Sequence, residues 1–161
     1  MLAAMLEPGT RAPDFILPDQ DGARIRLAAY HGKPVVLFFY PRDNSRGCTR
    51  QACAFRDSYS EFRDLGAALL GISRDDSDSH SEFRSEHGLQ YPLLTDKDGE
   101  VARQYGVPRL LGLLPGRATF VIDASGVIRF AYVNHIDMTS HRDEALKALR
   151  RIVARNGSED P

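Results

Sequence analysis

Two uninterrupted apolar runs constrain this chain more than any other feature: Pro34-Val35-Val36-Leu37-Phe38-Phe39-Tyr40 and Ala67-Ala68-Leu69-Leu70-Gly71-Ile72-Ser73. Neither alternates polar with apolar residues, so each reads as a strand covered on both faces. Between them Ala52, Phe55, Tyr59, Phe62 and Leu65 recur at helical spacing, and Gly66 ends the pattern. That spacing predicts a helix over residues 46–65. Strand, helix and strand in close succession form a βαβ unit, with parallel strands and a right-handed crossover.

The flanking segments complete one domain. With 161 residues the chain suits a single core over 1–161. Residues 1–10 read as a loose lead-in and 156–161 as a frayed tail. Phe15-Ile16-Leu17 and Arg24-Ile25-Arg26-Leu27 flank the turn cluster Pro18-Asp19-Gln20-Asp21-Gly22, which predicts an N-terminal hairpin. Asp76 or Ser77 caps a helix ending near Gly88, Tyr91–Leu94 is a short strand, and 98–105 a short helix. The Gly- and Pro-bearing stretch 106–116 is a loop. Two strands, 118–123 and 127–133, meet at the turn Asp123-Ala124-Ser125-Gly126. Thr139 or Ser140 caps a last helix that stops near Gly157, with Arg150, Arg151 and Arg155 on a solvated face. A βαβ half joined to a ββα half is the thioredoxin-like plan: α/β, a central mixed β-sheet flanked by helices, here with an N-terminal β-hairpin extension.

The chemistry centres on Cys48 and Cys53, the only cysteines. Cys48 falls where the first strand gives way to the helix, at the carboxyl end of a central strand, where open α/β sheets place their sites. Unpaired N–H groups there favour an anion, and thiolate is the reactive form of cysteine. Two cysteines do not make a disulfide scaffold. They are catalytic, inert, or part of a metal site, and His31, His80, His87, His135 and His141 fall at no metal-ligand spacing. A formal net charge of −1 and a pI near 6.5 call for neither nucleic acid nor an anionic membrane. No apolar run approaches the ~18 residues of a membrane span, and Met1–Leu6 lacks the basic start of a signal peptide. The expected location is the cytoplasm.

Pro41-x-x-x-Ser45-x-x-Cys48 resembles the Pro-x-x-x-Thr/Ser-x-x-Cys signature of peroxiredoxins. The longer run Tyr40–Asp57 resembles the bacterioferritin comigratory protein, or peroxiredoxin Q, subgroup. So do Ala12-Pro13-Asp14-Phe15, Gly71-Ile72-Ser73, Tyr91–Asp96 and Arg117–Asp123. The resemblance implies a thiol-dependent peroxidase for hydrogen peroxide and organic hydroperoxides, without cofactor or metal. Cys48 would be the peroxidatic nucleophile, becoming a sulfenic acid. Arg117 would stabilise the thiolate and the charge building on the leaving oxygen. Ser45 would orient the peroxide, and Pro41, without an N–H, would shield the thiolate.

Three residues depart from the subgroup pattern: Ser45 for Thr, Arg46 for Pro, and Gln51 for a Glu whose charge would pair with the arginine. Cys53 stands at the resolving position of one branch, while the other branch's position holds Arg84. The resemblance therefore implies a Cys48–Cys53 disulfide, recycled by thioredoxin or a glutaredoxin-like dithiol, in a monomer. The alternatives are a one-cysteine peroxidase with Cys53 structural, and a dithiol–disulfide oxidoreductase, which would want Cys-x-x-Cys. Five residues apart on a helix, the two Cα atoms are roughly 8.6 Å apart. A disulfide needs less than about 6.8 Å, so the helix would have to unwind at its start.

Overall fold

The computed structural model describes residues 4–109 and 116–158. The N-terminal turn cluster folds as expected: Ile16–Pro18 (β1) and Arg24–Arg26 (β2) pair antiparallel as a separate two-stranded sheet. Asp19 pins the turn by accepting the N–H groups of Asp21 and Ala23, both at 2.9 Å. A short 3-10 turn, Leu27–Tyr30, follows and was not foreseen.

The main sheet is built from Val35–Phe39 (β3), Ala68–Ser73 (β4), Leu93–Thr95 (β5), Ala118–Ile122 (β6) and Ile128–Tyr132 (β7). Its order is β5-β4-β3-β6-β7. β3, β4 and β5 run parallel, while β6 and β7 are antiparallel to their neighbours. β3 is buried at every position, as its continuous apolar run requires. β5 starts later than the sequence indicated, because Pro92 has no N–H to give the ladder; its carbonyl accepts from Gly71 instead.

Arg46–Asp57 (α1), Tyr59–Asp64 (α2), Ser77–His87 (α3), Glu100–Gln104 (α4) and Ser140–Ser158 (α5) complete the chain. The single helix expected over 46–65 is two, separated at Ser58. Ser58 leaves helical backbone, and its carbonyl takes the N–H groups of Glu61 and Phe62. The apolar spacing spans this break without registering it. Asp76 caps α3 and the left-handed Gly88 ends it, as expected.

Alternation along β3 divides the core. Val36, Phe38 and Tyr40 face Cys48, Ala52 and Phe55 of α1, Phe62 of α2, Phe83 of α3 and Leu149 of α5. Val35, Leu37 and Phe39 face Phe15, Leu27, Val101 and Tyr105 on the other side, where α4 lies. The lead-in is not loose where the structure describes it. Leu6 donates to the Tyr105 carbonyl at 3.1 Å, Gly9 to Ile128 at 2.7 Å, and Ile128 to Thr10 at 2.8 Å. At the other end α5 runs through Ser158, so residues 156–158 of the expected tail are helix. Residues 110–115 of the expected loop, and 1–3 and 159–161 of the termini, lie outside the described residues. No described helix is long and apolar enough to cross a membrane.

α5 is locked to β6 by a buried histidine. His141 Nε2 donates to the Asn134 carbonyl at 2.8 Å, and Nδ1 lies 2.7 Å from the Thr119 hydroxyl, which donates to the neutral ring. Burial lowers the His141 pKa, with Arg117 and His135 acting the same way and the Asn134 bond and Asp137 opposing. The unfolded chain takes up this proton near the ordinary 6.5, the folded chain at lower pH. Stability from this lock is therefore complete above 6.5 and lost as pH falls through and below it. His141→Gln should shrink the difference in urea midpoint between about pH 7.5 and about pH 5.5. An unchanged difference would place the acid sensitivity elsewhere.

Candidate active site

β3 delivers the chain to the top of the sheet. Tyr40 still donates its N–H to Ile72 at 3.0 Å, and the half-buried Pro41 then ends the ladder. Asn44 has φ +64°, a left-handed conformation that asparagine tolerates. That reversal leaves Ser45 extended, as the N-cap of α1. Its Oγ accepts the Cys48 N–H at 3.2 Å and donates to the Arg42 carbonyl at 3.3 Å. Cys48 is thus the third residue of the helix, with its side chain 0% exposed. Arg42 and Arg46 are exposed, as expected of solvated charges.

The loop is fastened from beneath by a cluster with no local sequence signal. Asp43 is buried and accepts from the Tyr40 hydroxyl at 2.6 Å, the Ser79 hydroxyl at 2.8 Å and His80 Nδ1 at 2.8 Å. His80 Nε2 donates to the Leu94 carbonyl at 3.1 Å. Both ring nitrogens face oxygen atoms, Asp43 Oδ2 on one side and the Leu94 carbonyl on the other, so the ring is fixed at both ends. Burial, and then the facing Asp43 charge, push the Tyr40 hydroxyl well up. Asp43 also donates its own N–H to Asp75 at 2.7 Å.

Arg117 arrives from the other half of the chain. Phe39 pairs with Ala118, so antiparallel geometry sets Arg117 beside the end of β3. It is 9% exposed, and its Nη1 donates to Gln51 Oε1 at 2.7 Å. Its Nη2 packs over Gly47, where a Cβ would lie 2.8 Å from it and 3.4 Å from the Met138 sulfur. The glycine makes the room for the guanidinium. The sequence marked position 51 as an arginine partner; the neutral amide keeps that contact as a hydrogen bond instead of an ion pair. Met138, from the loop before α5, had no signal beyond being apolar.

Cys53 lies about 140° round α1 from Cys48, and it is partly exposed. Both thiols are free, in intact helix. Burial raises the Cys53 pKa, Arg56 opposing and Asp57 reinforcing. Around it α1 is held by its carbonyls: Tyr91 donates to Ala52 at 2.7 Å, Arg142 to Ala54 at 3.4 Å and Gln90 to Arg56 at 3.4 Å. Arg56 itself donates to the His87 carbonyl at 2.7 Å. A cavity of about 390 Å³ lies at the opposite end of the sheet, lined by Ala12, Leu27, Val35 and Ile122, away from both thiols. The structure brings together Ser45, Cys48 and Arg117 and adds Gln51, Gly47 and Met138; Pro41 borders them in sequence.

The AhpC/TSA family matches residues 8–131. Peroxiredoxin Q of Suaeda salsa, a chloroplastic protein, is 47% identical over 152 residues, covering 94% of this chain and 71% of its own length. Among solved structures, peroxidoxin BcpB of Mycobacterium tuberculosis superposes with a TM-score of 0.84 at 42% identity, over 91% of this chain and 98% of its own. The bacterioferritin comigratory protein of Xanthomonas campestris, described for alkyl peroxide reduction, gives a TM-score of 0.80 at 30% identity, over 94% and 99%.

Asp43→Ala would remove the acceptor shared by the Tyr40 hydroxyl, the Ser79 hydroxyl and His80 Nδ1. We expect equilibrium unfolding in urea to show a loss of about 3 kcal/mol or more, from buried donors left without their acceptor. A loss below about 1 kcal/mol would mean that the loop does not depend on the pair.

Proposed function

The chain belongs to the AhpC/TSA family, in its peroxiredoxin Q and bacterioferritin comigratory protein subgroup, and on that premise we propose that Cys48 attacks the peroxide and Cys53 resolves the product. Membership makes the chain a thiol-dependent peroxidase, and peroxiredoxins act on peroxides with thioredoxin-type reductants. What remains to assign is which residues perform each step. The observation that carries the assignment is the Arg117 guanidinium, held over the first turn of α1 by Gln51 and Gly47.

In this mechanism the Cys48 thiolate attacks the terminal peroxide oxygen. An S–O bond forms, the O–O bond breaks, and the leaving alkoxide or hydroxide takes a proton. Free N–H groups of Arg117 donate to the peroxide as charge moves onto the leaving oxygen. Ser45 serves twice: its oxygen caps the helix through the Cys48 N–H, and its proton turns from the Arg42 carbonyl to the peroxide. Pro41 offers no N–H and shields the thiolate side of the pocket. The alkyl peroxide activity of the Xanthomonas protein extends the proposed substrates to organic hydroperoxides. Cys53 then attacks the Cys48 sulfenic acid, water leaves, and a disulfide forms for thioredoxin or a glutaredoxin-like dithiol to reduce.

The assignment is tested by turnover with thioredoxin. Cys48→Ser should abolish peroxide consumption, and Arg117→Ala should slow the first oxidation about a hundredfold, as for loss of one electrostatic stabiliser. Cys53→Ser should permit one oxidation and then stall. Steady multi-turnover activity in Cys53→Ser would favour a one-cysteine cycle, and near-normal activity in Cys48→Ser would overturn the assignment.

The disulfide requires α1 to open at its start. Ser45, Arg117 and burial hold residues 46–51, while three side chains, Gln90 and Tyr91 from the loop before β5 and Arg142 from α5, grip the carbonyls of 52, 54 and 56. Amide hydrogen exchange should lose protection across residues 47–53 on oxidation, while 35–39 stay protected. An equally protected helix in a sample shown to contain the Cys48–Cys53 bond would exclude unwinding.

A further inference from the structure

Gln51 uses its amide on one side only. Its oxygen accepts from Arg117 at 2.7 Å, while its nitrogen, Nε2, has no partner among the described residues. A guanidinium only donates, so the oxygen is the end facing Arg117 and the amide is not flipped. The residue is 0% exposed, and leaving a buried amide N–H without an acceptor is costly. Such a donor gains a hydrogen bond at little cost from any acceptor that comes within its reach.

Helix geometry says which acceptor. Each residue advances the direction by about 100°, so from Gly47 the Gln51 side chain lies about 40° round and Cys48 about 100°. Gln51 therefore stands between the two, one turn from Cys48, in the spacing that makes side chains neighbours. Cys48 is likewise 0% exposed. Arg117 spans the Gly47–Gln51 row and anchors the amide oxygen there. A reduced sulfur is a weak acceptor. Reaction with a hydroperoxide gives the sulfur an oxygen: the thiolate and ROOH become the sulfenic acid and an alkoxide, which is protonated to ROH. The sulfur is oxidised by two electrons, the peroxide oxygen reduced.

We infer that Gln51 Nε2 is the hydrogen-bond donor to the oxygen that Cys48 gains, favouring the ionised sulfenate and holding it in the pocket against the pull of unwinding. This rests on Cys48 being the peroxidatic residue. A sulfenate so held is the species that a second hydroperoxide oxidises to sulfinate. Gln51 would thus set how readily excess peroxide inactivates the enzyme.

The test uses 15N-labelled Cys53→Ser protein, in which the sulfenic acid cannot be resolved. The Gln51 side-chain amide pair is assigned by its disappearance in Gln51→Met, which is neutral, of similar size and without a donor. One equivalent of hydrogen peroxide should move one amide proton downfield as mass spectrometry shows one oxygen on Cys48. In Gln51→Met the pH midpoint for second oxidation should rise by about one unit or more, the loss of a bond to a charged acceptor. An unmoved amide pair with the oxygen present on Cys48, or an unshifted midpoint, would overturn the role of Gln51. Absence of any oxygen on Cys48 in both proteins would instead overturn the assignment of Cys48, and this inference with it.

Discussion

The pairing of Phe39 with Ala118 is the constraint on which the site depends. β3 runs up to the loop that becomes α1, and β6 starts beside that point, running the other way. Residue 117 therefore sits beside the end of β3 whatever its side chain. The chain places an arginine there, and a glycine at position 47 leaves room for its guanidinium. Residues nearly seventy positions apart thus meet over one helical turn without any flexible connection having to bring them together. Because β3 and β6 are buried at every position, the register cannot slip without turning apolar side chains out of both cores.

The proposed cycle asks α1 to be ordered for one step and open for the next. Its second half is gripped through its carbonyls by Tyr91, Gln90 and Arg142. Its first half depends on the Ser45 cap, burial of Cys48, and one hydrogen bond between neutral Gln51 and Arg117. A bond from a charged donor to an amide is weaker than a bidentate ion pair to a carboxylate. This chain therefore holds the first turns less firmly than a Glu at position 51 would. The loop before them is firm, because the Asp43–His80 pair ties it to α3 and to the Leu94 carbonyl. In the proposed cycle, opening would thereby be confined to the segment between a fastened loop and a fastened half-helix.

How much could be read from the sequence divides along one line: contacts that repeat locally were legible, and contacts across the fold were not. β3 and β4 were found because unbroken apolar runs have few alternatives. Asp76 and Gly88 marked the ends of α3 by local capping rules. The break at Ser58 was missed because the apolar face of α1 continues into α2. Cys48, Ser45 and Arg117 were found through a motif and a resemblance. Asp43 and His80 lie 37 residues apart, and nothing in either segment predicts the other. Gln51 showed as a substitution in the pattern, but its idle nitrogen is visible only once Arg117 has claimed the oxygen.

The position of Cys53 gives the proposed cycle an order of events. On intact α1 its thiol is raised by burial, with Asp57 adding to the effect and Arg56 opposing it, so in that state it is a poor nucleophile. It also lies on a different face of the helix from Cys48. Unwinding changes both conditions together: the thiol gains water, which lowers its pKa toward that of a free cysteine, and it gains the reach to meet the oxidised sulfur. Premature attack is blocked by geometry and by ionisation at once. The same partial burial leaves a reductant little access until the segment has opened, so resolution and recycling share one conformational step. Whatever prolongs the folded sulfenate, the Gln51 amide included, then competes with that step and leaves more time for a second peroxide to arrive.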